Sequence, residues 1–437
     1  MSRNALVGLA LLAAACTVRV EGEAEERARL AAAGRGFAPV LAQRPWPVLA
    51  EASPLADYLA FAELGSGELE AAWQRWAAAL EQVPQAATQP TTAMVGLEHR
   101  LDGGAALDRT GLVLMSDAMN NLLLPGRLEA LGVAALQAAR ARAAEFDAVR
   151  LRLQRQVTEA FLALAERDAE LRLLERMRSV LATVVPSARA RLQAGGASQS
   201  DLLQAEVALD RLDAELQGLQ AGRPALLAVL GQRIGTRLAA ATPALPELAP
   251  LREAEEASVG AALQRNPILR QRQREVAAAL AEHEVAEWAR LPGFSLRSLL
   301  MGDGMATLGA AVTLPFLRES AIDAAIRQAA ASVRAAEAMQ RQAANDAVAA
   351  TVSACAEIRA AGRQGEVLSV RLLPHLRRAA DVERVRWAAG GGAYATWAGV
   401  LLATLETERE LVRLRARQHV ARARLQEALG GLAEPSP

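Results

Sequence analysis

The sequence predicts a mainly α-helical fold with a small β part, built as a tandem duplication. Three observations carry this reading. The composition suits long helices, four short stretches alternate like strands, and similar stretches recur about 195 to 200 residues apart. Aromatics make up only 3% of 437 residues, and the chain is rich in Ala, Leu, Arg, Glu and Gln. Those residue types lose little side-chain freedom in a helix. The 49 basic residues are all arginine and balance 49 acidic ones. A net charge of zero argues against a large basic surface, so no nucleic-acid partner is expected. Two cysteines far apart, Cys16 and Cys355, exclude a disulfide framework and a four-thiolate metal site.

The N-terminus reads as an export signal over residues 1–15. Arg3 precedes an uncharged apolar run, and Ala13, Ala14 and Ala15 lead into Cys16. Small residues before a cysteine resemble a bacterial lipoprotein signal, in which Cys16 carries the lipid and residues 16–53 form an N-terminal tether. Behind it, residues 388–405 are uncharged but hold Gly390, Gly391, Gly392 and Gly399. That stretch is short and glycine-broken for a membrane helix, which needs about 20 apolar residues.

The repeat then orders the chain. Arg191 to Gly196 parallels Arg386 to Gly391, Glu215-Leu216 parallels Glu410-Leu411, and Leu230-Gly231 parallels Leu429-Gly430. Each half reads helix, hairpin, long helix, break, long helix. The first repeat is expected over 54–236 with a hairpin at 92–118, and the second over 257–430 with a hairpin at 293–316. Between them, 237–256 contains Pro243, Pro246 and Pro250 and reads as a linker. Residues 431–437 form a tail.

In the second hairpin, Leu308, Ala310, Val312 and Leu314 alternate with Thr307, Gly309, Ala311 and Thr313. Period two predicts a strand with two unlike faces. Its partner is expected at 294–300, across the turn sequence Met301-Gly302-Asp303-Gly304. Strands of this length suit a tilted barrel crossing of a membrane. Residues 128–184 contain no proline, and 187–220 are interrupted only by Gly195-Gly196. Helices this long call for coiled-coil packing, and Leu171, Leu174, Met177, Leu181 and Val184 supply a narrow apolar seam.

This layout resembles the TolC family, the outer-membrane channels of tripartite efflux and type I secretion systems. The stretch from Ala261 to Leu269 with Asn266-Pro267 resembles the family's helix opening. Val312-Thr313-Leu314-Pro315-Phe316 is similar to the end of its second hairpin. Arg191 through Glu206 resembles its helical turn at the periplasmic tip. Residues 59–85 resemble the entry helix of the heavy-metal efflux branch. The resemblance implies antiparallel coiled-coil helices that form a trimeric α-barrel, and two hairpins per chain that share a 12-stranded membrane β-barrel. It implies a passive duct in the cell outer membrane, reaching into the periplasm, anchored in outer-membrane lipid and linked through a periplasmic adaptor to an inner-membrane pump. Docking and gating fall at the two glycine breaks, on Gly195, Ser198, Asp201, Gly390, Tyr394, Thr396 and Trp397. Where the family often carries acids at the second tip, this chain has Thr396 and Gly399, so any constriction is expected to use Tyr394, Trp397 and Asp201.

No catalytic constellation is apparent, so no enzyme activity, resident metal or cofactor is expected. His99, His283, His375 and His419 are scattered, and the glycine run at 390–392 lacks the Lys-Ser/Thr of a phosphate loop. Met115, Met119, Met301 and Met305 are read as hairpin packing residues. The alternative reading is a lipid-anchored periplasmic coiled-coil scaffold without a pore, which has no reason to keep the alternation at 305–314.

Overall fold

The computed structural model describes residues 17–37, 43–90, 93–99, 110–116, 122–248, 250, 254–301 and 306–431. The export signal, Cys16, the hairpin turns, Met119 and Met305 and the C-terminal tail lie outside the described residues.

The described elements run in chain order as follows. A short helix α1 (Glu23–Ala33) precedes α2 (Leu55–Gly65) and α3 (Gly67–Ala86). Strands β1 (Ala93–His99) and β2 (Thr110–Ser116) lead into α4 (Pro125–Gln193) and α5 (Gln199–Ile234). The pattern then recurs as α6 (Glu255–Arg265), α7 (Pro267–Trp288), β3 (Gly293–Met301), β4 (Ala306–Thr313), α8 (Glu319–Glu366), α9 (Leu373–Ala388) and α10 (Tyr394–Leu429). At 69 residues α4 is about 100 Å long. The expected entry helix is two helices, broken at Ser66, and the second half has the same break at Asn266. The Ser66 N–H donates to Ala62 O and the Asn266 N–H to Ala262 O, each at 2.9 Å. The element order thus repeats, down to its single-residue kinks.

By compactness the chain forms two units, and each draws on both sequence halves. The first takes residues 1–38, 71–147 and 267–345, and the second 39–70, 148–266 and 346–437.

The first unit holds one four-stranded antiparallel sheet in the order β1-β2-β3-β4. Its helices carry the N-terminal arm. The Val18 N–H donates to Ala87 O at 3.0 Å, and Thr17 bridges Thr88. Val20 packs with Leu80, Val83, Ala87 and Leu136. This approach needs Gly132, because a Cβ there would lie 2.4 Å from Val20 Cγ2. Trp76 is buried against Phe146, and the Trp73 indole donates to Leu30 O. These tryptophans are core groups of the arm.

The second unit is helical. Leu171, Leu174, Leu181, Leu212, Leu216, Leu405 and Val412 form its core, so the apolar seam of α4 meets α5 and α10. The interrepeat segment is bound along its length. The Thr242 N–H donates to Glu51 O at 2.7 Å, Arg415 pairs with Glu247 at 2.6 Å, and Arg422 donates to Pro250 O. At these points the segment is a strap tied to α10 and to Glu51. Between α8 and α9, residues Val367–Leu372 form a π-helical turn. It lies just before Pro374, whose ring would clash with the carbonyl four residues back in a regular helix.

Candidate functional site

The two glycine turns of the second unit are built alike and held differently. Gly195 and Gly390 take φ of 77° and 84°, the left-handed conformation that lets a helix stop and reverse without a Cβ clash. After the first turn, Ser198 caps α5. Its Oγ accepts from the Asp201 N–H at 3.1 Å, while the Asp201 carboxylate accepts from the Ser198 N–H at 3.0 Å and the hydroxyl at 2.8 Å. This reciprocal box satisfies donors that a helix start leaves free. The Ser198 backbone N–H, then its hydroxyl, hold the Asp201 carboxyl below its ordinary range, with smaller help from the Tyr394 backbone and the Arg191 charge.

The second turn has no side-chain cap at Ala393. Aromatic packing takes its place. Trp387 stacks on Trp397 at 5.2 Å, and Tyr394 meets both edge-on at 6.1 and 5.9 Å. Val184, Ala188 and Ala205 from α4 and α5 complete this cluster, so one core spans both tips. Burial pushes the Tyr394 phenol up, and its hydroxyl has no partner among the described residues. Arg191 ties the turns together. Its guanidinium donates to the Trp387 carbonyl, lies 4.9 Å from the Trp387 ring centre, and reaches Gly196 O at 3.4 Å.

The structure gathers all seven sequence-predicted tip residues at the two turns. Tyr394 is 1% and Trp397 3% exposed, so both pack beneath the tip. Asp201 is committed to its cap. Ser198 and Thr396 are exposed. Sequence reasoning passed over Arg191 and Trp387 as functional residues. Their signal was available, since Arg191 and Arg386 occupy matching repeat positions and Trp387 is one of six tryptophans.

The sheet has a different chemistry. Register pairs Leu97 with Leu112, Leu112 with Leu300, Leu296 with Ala310 and Phe294 with Val312. Among the residues whose exposure is described, one face thus carries Val95, Leu97, Leu112, Phe294, Ala310 and Val312, with His99 and Thr110 hydrogen-bonded at its end. The other carries Gly96, Glu98, Ser295, Thr307, Gly309, Ala311 and Thr313, together with Val113, which is buried. The apolar face is bare, with Val95 69% and Leu97 79% exposed. Among the described residues β1 pairs only with β2 and β4 only with β3, so both sheet edges are open. No helix is long and apolar enough to cross a membrane among the described residues, and no group of three metal-binding side chains occurs there.

Comparison with known proteins agrees with this geometry. Residues 259–431 match the family described as outer membrane efflux protein. Curated proteins give no match by sequence. Among solved structures, the outer membrane protein VceC of Vibrio cholerae matches with a TM-score of 0.73 and 19% identity, over 86% of this chain and 96% of that one. The open state of the Neisseria gonorrhoeae MtrE outer membrane channel gives 0.70 and 18%, over 86% and 89%. CusC, described for its transmembrane channel formation, gives 0.69 and 18%, over 91% and 100%. At such identities the likeness establishes the fold, that of outer-membrane channels with long helices and two hairpins. The family match, to outer membrane efflux protein, covers residues 259–431, the second half of the chain, and agrees with that fold.

Proposed function

We propose that the chain works as a trimeric, passive duct of a tripartite efflux system, with its sheet in the outer membrane. The single observation that carries this is the two-faced sheet with open edges. Unpaired backbone groups are costly in lipid, where no water can satisfy them. Three copies of a four-stranded sheet would remove every edge by closing one 12-stranded barrel, its apolar face to lipid and its small and polar face to the lumen. The helical tips, with exposed Ser198 and Thr396, suit docking to a periplasmic adaptor that bridges to an inner-membrane pump. Cys16 directly precedes Thr17, whose backbone pairs with Thr88, five residues before β1. A lipid anchor on Cys16, next to Thr17 in the sequence, would suit a protein whose sheet lies in the membrane. The repeats are proposed to run over 54–236 and 257–430, with the intervening strap bracing the helices.

Ala310 and Ala311 test the reading, because they are adjacent, exposed and on opposite faces. Arginine on a lipid-facing strand position costs about 2–4 kcal/mol near the membrane midplane, while lumen positions tolerate it. Ala310→Arg should abolish outer-membrane assembly, read as loss of heat-resistant trimer in outer-membrane fractions. Ala311→Arg should assemble normally. Equal tolerance of both would contradict the barrel and favour a scaffold without a pore.

A further inference from the structure

We propose that Arg415, His419 and Arg422 of α10 form a clasp on the inter-repeat strap, closed while His419 is neutral and opened when it takes a proton. The clasp lies wholly within the helical unit and works with or without a pore.

The three side chains are spaced four and three residues apart, so they line one face of α10. Each holds the strap at a different point. Arg415 pairs with the Glu247 carboxylate at 2.6 Å, the His419 ring meets the Glu247 carbonyl at 2.9 Å, and Arg422 donates to the Pro250 carbonyl at 3.1 Å. A carbonyl only accepts, so His419 Nε2 carries the ring proton in this contact. A second proton goes to Nδ1. It leaves the bond in place but puts three cations in a row, and like charges at this helical spacing repel. Burial holds the imidazole below its ordinary range; the Glu247 carbonyl opposes this, and the Arg422 charge adds to it. A released strap returns His419 to water, where its ordinary value is about 6.5. Docking is therefore complete above about pH 6.5 and weakens as pH falls through the lower docked value.

The charged groups facing the clasp from other elements are arginines and carboxylates. On α8, Arg359 pairs with Glu255 of α6, and Arg363 and Glu366 flank Leu248 and Pro250. On α4, Arg172, Glu175 and Arg176 lie beside Ala244 and Leu245, where Arg377 of α9 pairs with Glu408 at 2.6 Å. Neither hollow is lined by an imidazole, the side chain whose ordinary range falls between about pH 5 and 8.

Release matters because of what the strap braces. A Cβ on Gly365 of α8 would lie 2.2 Å from Leu248 Cδ1, so the strap is seated on α8 just before the π-helical turn Val367–Leu372. Leu248 and Pro250 share one hollow with Ser369 and Val370 of that turn. A π turn is a point where a long helix bends, and acidification frees this one from its brace.

The test follows the strap by electron paramagnetic resonance of a spin label on Ala244→Cys, an exposed strap position, in the purified full-length protein. The spectrum of protein without Ala244→Cys is subtracted, which removes any label on Cys16 or Cys355. With His419 present, the mobile fraction should be at least about twofold larger at pH 5 than at pH 8, with a midpoint below about 6.5. His419→Gln keeps an N–H for the Glu247 carbonyl but cannot titrate, so its label should stay immobile throughout. His419→Ala should be mobile at every pH, and circular dichroism shows whether each variant has folded. A label equally immobile at both pH values in protein with His419 would overturn the proposal. So would a transition that survives in His419→Gln, which would assign it to another group.

Discussion

Asp168 is a carboxylate nearly out of water, 6% exposed on α4, and both its oxygens face one guanidinium. Arg223 of α5 reaches them at 2.6 and 2.9 Å and donates on to Ala241 O at the start of the strap. Removing one partner of such a pair leaves a charge without water or counterion, which costs about 3–5 kcal/mol when the site is buried. Arg223→Ala leaves Asp168 alone in the core, so the higher end applies to it, whereas Asp168→Ala leaves the partly exposed Arg223 and falls at the lower end. A chemical denaturation midpoint measured for Arg223→Ala and for the paired Asp168→Asn, Arg223→Gln variant checks this, and the double variant should recover much of the loss. Asp201 makes a different prediction, set by pH. Its folded carboxyl titrates below the unfolded value, so its contribution is present above about pH 4 and is lost as pH falls through the folded pKa. The melting difference between wild type and Asp201→Asn should be flat at higher pH and shrink under acid. A difference that grows below pH 4 would contradict the cap.

At the scale of elements, helix ends explain both what could be read and what could not. The two tip helices α5 and α10 are each 36 residues long, and both stop on a left-handed glycine, Gly235 at 81° and Gly430 at 83°. A Cβ on Gly430 would lie 2.2 Å from Arg265 O, and one on Gly235 would lie 2.7 Å from Gly65 O. Each therefore seats one helix end on the matching end of a shorter helix. Gly430→Ala should destabilise by about 1 kcal/mol or more, through both the conformation and the lost approach. A thermal midpoint equal to wild type would refute that role. The hairpins and long helices were legible because period two and proline-free runs are local signals. The strap was not, because Pro243, Pro246 and Pro250 say only that no helix forms there. Its bonds come from Glu51, Arg415 and Arg422, far away in sequence. The π turn escaped notice for a similar reason, since Pro374 disfavours a regular turn without stating which irregular one forms, and Pro186 and Pro224 lie inside regular helices. The burial of Tyr394 and Trp397 was not legible either, because an uncharged run does not say which of its aromatics packs inward.

For the whole molecule, the duplication is the organising fact. Each half carries a kinked helix pair, one hairpin and a long helical hairpin, yet each compact unit draws on both halves. Neither repeat could build the sheet by itself, because each supplies only two of its four strands. Among the described residues β1 and β4 still stay open, and that incompleteness is the ground on which a trimer and its pore are proposed. The direct measurement is single-channel recording of the purified full-length protein in a planar lipid bilayer. The account predicts discrete conductance steps from a heat-resistant trimer, absent from Ala310→Arg preparations. A stable trimer that inserts but never conducts would contradict it.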